Sequence, residues 1–176
     1  MMRPIHLSYT SSERVEVYRF SWLVSAVLPL LMVGLQAFIP VRMYFFRVFD
    51  FGLLLTIFFA VSRRSQLSGM LTGAAIGLLQ DCLTHTPFGV FGIANTLVGY
   101  GASSIGVRID VDNPGSRFLL VFFFYGVHQA VFLAIERELM GQMVHLNLGH
   151  EAGAAVVNSL MAVFLFGLLN RFKIRE

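Results

Sequence analysis

A succession of apolar runs, each about as long as a bilayer is thick, constrains this chain more than any other feature. Residues 20–41, 67–84, 88–107, 118–139 and 152–170 are dominated by apolar side chains, and about 20 such residues carry a helix across roughly 30 Å of hydrocarbon. A sixth stretch, "YFFRVFDFGLLLTIFFAVS" at 44–62, is interrupted by Arg47 and Asp50. Its clean part is too short to cross alone, and the two charges, three positions apart, are expected to pair on one helix face at the interface. A soluble domain would cover its core with lysine and glutamate, yet Lys173 is the only lysine among 176 residues, and mean hydropathy is +0.72. Lipid is therefore the solvent for most of the surface.

The basic residues arbitrate the number of crossings. With six spans, one side receives Arg3, Arg14, Arg19, Arg63, Arg64, Arg108, Arg117, Arg171, Lys173 and Arg175, and the other only Arg42, Arg47 and Arg137. No five-span reading sorts them so unevenly, and the excess of positive charge on one side places both termini in the cytoplasm. The expected architecture is an all-α polytopic membrane protein: a cytoplasmic segment at 1–19, six transmembrane helices within 20–170, and a basic cytoplasmic tail at 171–176. The first run is longer than a signal-peptide core and ends without a small-x-small cleavage site, so it reads as a retained span. Pro29 is expected to kink it. Thr10 with Glu13 fits a capping box that would start a helix before the membrane.

Several function classes are disfavoured. The scattered basic residues form no stripe with interleaved aromatics, which argues against nucleic acid. A single cysteine, Cys82, excludes an intrachain disulfide and any Cys-pair zinc or redox motif. "DVDNPG" at 110–115 opens like a calcium loop, but Val121 stands where a bidentate glutamate is needed, so it reads as a charged turn. His145, His150 and Glu151 match no standard zinc spacing. No nucleophile elbow, Walker loop or suitably spaced carboxylate pair is present. The chain is expected to have no catalytic residue, no metal and no cofactor.

The motifs that remain concern packing. Gly69, Gly73 and Gly77 recur every four residues in the third run. Small residues let two backbones approach closely in lipid, where no hydrophobic drive separates helix from solvent. The stripe serves either internal packing or a partner helix. Asp81 and His85 continue the same four-residue spacing. A carboxylate at mid-bilayer costs about 2.5–3.5 kcal/mol and less near an end, so Asp81 needs a local binder. "THTPFG" supplies candidates: Thr84 and His85 as donors, a turn at Pro87 and Gly89, and the amides that open the next helix. A clamp between the third and fourth spans and a contact with a partner or ligand both remain open. Gln36, Asn95, His128, Gln129 and Asn158 also fall inside spans, where interhelical hydrogen bonding is the plainer role and proton or ligand handling the sharper one.

From Arg42 to Arg108 the chain resembles the rod shape-determining protein MreD family. The resemblance is carried by Asp50, "LLLTIFFAVSRR", "SGMLTGAAIGLLQD", "PFG" and "LVGY" in order and spacing, with Phe49 where the family often has proline. It implies a non-enzymatic inner-membrane component of the bacterial elongation machinery, bound to the single-span protein MreC. Through MreC it would connect to MreB, RodA and a class B penicillin-binding protein that build the lateral wall. It also implies a bundle similar to the S components of vitamin transporters, which supplies the alternative function: a substrate-binding transporter subunit. The residues expected to clamp the bundle or meet a partner are then Asp50, Gly69, Gly73, Gly77, Asp81, Pro87 and Gly89.

Overall fold

The computed structural model describes residues 22–84, 86–106, 109, 113–139, 141 and 147–172. Thr10, Glu13, His85, His145 and residues 110–112 of the 110–115 turn lie outside them. Six α-helices follow one another: α1 (Trp22–Arg42), α2 (Phe51–Arg63), α3 (Gln66–Thr84), α4 (Val90–Gly106), α5 (Pro114–Ala134) and α6 (Leu148–Leu169). A 3-10 segment, Tyr44–Val48, precedes α2, and a π-helical turn, Ile135–Leu139, extends α5. The described residues contain no strand.

The 44–62 run does not form one helix. Asp50 breaks it, because its side chain accepts a hydrogen bond from Leu53 N–H at 3.0 Å and so serves as the N-cap of α2. A carboxylate that satisfies an orphan helix donor is worth more at the cap than inside the helix. Arg47 sits in the 3-10 segment and Asp50 at the cap, so the two do not share a helix face as the sequence suggested. The resulting α2 has 13 residues, about 20 Å of rise, and every residue from Gly52 to Ser62 is buried. A helix that is apolar on all sides belongs in the centre of a bundle. Phe58 packs against Phe166 of α6 with centroids 5.2 Å apart, and Leu53, Leu54, Leu55 and Ile57 are fully enclosed.

Caps start the later helices too. Asn113 accepts from Gly115 N–H at 2.9 Å with Pro114 in the first turn, and Asn147 accepts from His150 N–H at 3.3 Å. Helix α1 continues through Pro29. Residues 114–138 and 148–169 form two helices long and apolar enough to cross a membrane. Glycine, serine and threonine make α3 and α4 less apolar, and what those small residues accomplish is close packing.

At the opposite end of α2, Arg63 donates to Ser25 of α1 at 2.9 Å and to Ser68 of α3 at 3.2 Å. Its guanidinium lies 5.6 Å from the ring centre of Phe59. Three helix ends are tied there by one cation.

Candidate functional site

The glycine stripe of α3 faces α4. A methyl group added at Gly69 would meet the carbonyl oxygen of Gly99, at Gly73 that of Asn95, and at Gly77 that of Phe91. Gly99 answers from the other side, where a methyl would strike the carbonyl of Gly69. Backbone meets backbone along the whole seam, so the stripe is occupied from within the chain.

Asp81 closes the seam at its end. The residue is 2% exposed, and its carboxylate takes three backbone hydrogen bonds from the start of α4. Gly89 N–H and Gly92 N–H donate to Oδ2 at 2.9 and 3.1 Å, and Phe91 N–H donates to Oδ1 at 2.9 Å. These are orphan donors at the positive end of a helix, and charge-assisted bonds of this kind are about twice as strong as neutral ones. Gly89 has φ +102°, a left-handed conformation that glycine adopts without steric cost, and it turns the chain so that its own N–H reaches Asp81. Pro87 precedes this turn and is exposed. Thr84 does not join the clamp; its hydroxyl donates to the Gln80 carbonyl and pairs with Thr86 Oγ1, both at 2.7 Å.

Gln80, the neighbour of Asp81 in α3, belongs to a second polar group centred on Asp50. Its Oδ1 accepts from Gln80 Nε2 at 3.0 Å, and Gln80 Oε1 accepts in turn from Asn95 Nδ2 at 3.2 Å. Asn158 of α6 receives the Asp50 N–H at 2.8 Å and donates to the Val48 carbonyl at 2.7 Å. Gln36 of α1 accepts from Gly52 N–H at 3.2 Å. Four helices therefore converge on the segment that opens α2. Gln36, Asn95 and Asn158 act through interhelical hydrogen bonds.

His128 does not. It is 1% exposed, its ring stacks on Phe91 with centroids 5.8 Å apart, and neither ring nitrogen has a hydrogen-bond partner among the described residues. Its Nδ1 stands 3.9 Å from Asp50 Oδ2, beyond hydrogen-bond range. His128 and Gln129 line a cavity of about 250 Å³, which reaches out to Arg47, His150 and Glu151. Tyr125 O–H donates to Glu151 at 3.2 Å. Among the described residues no three His, Cys, Asp or Glu side chains gather where they could hold a metal.

Gln80 was not singled out from the sequence. It is fully buried, and its position three after Gly77 and seven after Gly73 puts it on the packed face, which is the signal that could have found it. The meeting of Asp50 with His128 joins residues that sequence spacing does not relate.

Comparisons with curated proteins and with solved structures return no match. The family match lends no support to the transporter alternative. The glycine seam, the Asp81 clamp and the polar group at Asp50 all lie inside the segment that matches a family model, rod shape-determining protein MreD, which extends over residues 17–172. The chain belongs to that family, with a role in rod shape determination at the membrane.

Proposed function

We propose that this protein is a six-span scaffold of the bacterial inner membrane, with both termini in the cytoplasm. It binds MreC, and through it connects indirectly to MreB, RodA and a class B penicillin-binding protein and helps regulate lateral peptidoglycan synthesis. The observation that carries this reading is the family match across 17–172. The packing is consistent with binding and without turnover: the seam and both polar groups fix the bundle's shape. Helices α3 and α4 have 19 and 17 residues, about 28 and 25 Å of rise, close to a hydrocarbon thickness. The short α2 is tolerated at membrane depth because protein surrounds it.

Because α4 fills the glycine stripe, a partner helix would read an outer face. Large apolar residues such as Leu30, Leu31, Leu35 and Phe38 of α1 are exposed there. Affinity purification in mild detergent tests the proposal, with identification of whatever accompanies the protein. Recovery of the single-span MreC in near-equal amount is expected. Clean purification without it from cells that contain it would refute the binding role.

A further inference from the structure

The cavity beside Asp50 holds two unmet hydrogen-bonding groups that the scaffold reading leaves unused. His128 is buried with both ring nitrogens unpartnered among the described residues, and it lines the cavity. Both hydrogen bonds accepted by the Asp50 side chain among the described residues, from Leu53 N–H and Gln80 Nε2, fall on Oδ1. Its Oδ2 faces His128 Nδ1 across 3.9 Å. A donor atom about 2.9 Å from each would bridge that gap. Leaving two buried ring nitrogens of His128 unsatisfied is costly, so the arrangement points to an occupant.

The lining selects the chemistry of that occupant. Two carboxylates, Asp50 and Glu151, stand against one guanidinium, Arg47, so the wall carries a net negative charge and disfavours an anion. The volume of about 250 Å³ lies below the roughly 300–1,000 Å³ of drug-sized sites, so a small group fits. We propose that this cavity binds a primary ammonium group of the kind carried by an ethanolamine headgroup. Three N–H donors on one nitrogen serve Asp50 Oδ2, the acceptor nitrogen of His128 and a further acceptor on the wall. A quaternary ammonium has the charge without the donors and leaves both groups unmet. The ammonium could arrive on a phospholipid or as a free amine.

Thermal unfolding of the full chain in detergent tests this with four probes: ethanolamine, choline, phosphatidylethanolamine and phosphatidylcholine. At about five times the dissociation constant, ethanolamine or its phospholipid should raise Tm by about 2–4 °C. Choline and phosphatidylcholine should raise it by less than a quarter as much. A response to the phospholipid alone identifies a lipid headgroup, and a response to both shows that the free amine suffices. His128→Phe should abolish the response. Gln129→Lys places a tethered ammonium on the cavity wall; it should keep the parent's unliganded Tm or raise it, and should also lose the response. Equal shifts with choline, no shift with any probe, or a parent-like shift in Gln129→Lys would overturn the assignment, and the last two hold even if His128→Phe fails to fold.

Discussion

The backbone N–H of Asp50 donates to Asn158 Oδ1 at 2.8 Å, across 108 positions of sequence. The same amide side chain donates to the Val48 carbonyl at 2.7 Å, so one residue of α6 satisfies both backbone groups exposed where the 3-10 segment gives way to α2. Both bonds are part-buried, beside the cavity that Val48 and Asp50 line, and backbone groups in such a place are normally paired.

Asn158→Leu should therefore destabilise the protein by about 1–3 kcal/mol, since it leaves part-buried backbone groups unpaired. Leucine branches at the same carbon as asparagine, so the loss would report the hydrogen bonds. Melting in detergent checks this against Leu160→Ala, at an exposed position of the same helix. Equal Tm for the two variants would mean that the α2 entry does not depend on Asn158.

Gly73→Leu should cost more than Ile76→Leu. A side chain at Gly73 strikes the Asn95 carbonyl of α4, which belongs to backbone and cannot step aside; overpacking of this kind costs about 1–3 kcal/mol, occasionally more. Ile76 is buried in the apolar core, where an isomeric swap is repacked for less than about 1.5 kcal/mol. The readout is expression level with Tm, and parity between the variants would remove the seam from the account.

Some of this was legible in the sequence and some was not. The glycines at 69, 73 and 77 could be read because a four-residue spacing keeps side chains near one helix face whatever else the chain does. Asp81 was legible for a related reason: its partners, Gly89, Phe91 and Gly92, lie within eleven positions, so local geometry nearly dictates the contact. The interruption at Asp50 was visible, but its role as the cap that starts α2 was hidden, because only the bond from Leu53 reveals where the helix begins. The contact of Asp50 with His128, and that of Tyr125 with Glu151, depend on how α2, α5 and α6 settle against one another. Periodicity carries no information about that.

The charge asymmetry predicts topology. Reporter fusions after Glu176 and within residues 110–114 should read cytoplasmic, and fusions within 141–149 external. A periplasmic C-terminus would reduce the number of crossings, and the short α2 is where the count would fail.

Under the proposed function, Asp81 shapes the bundle and MreC reads that shape. This is tested most directly by measuring melting temperature and MreC recovery on the same preparations of parent, Asp81→Asn and Asp81→Leu. Asparagine keeps one acceptor oxygen for the amides of Gly89, Phe91 and Gly92, and leucine keeps none. Tm should fall in the order parent, Asn, Leu, with leucine losing about 2 kcal/mol or more, and MreC recovery per folded molecule should stay level. An Asp81→Leu protein as stable as the parent that no longer brings MreC with it would contradict the account and make the carboxylate a partner contact.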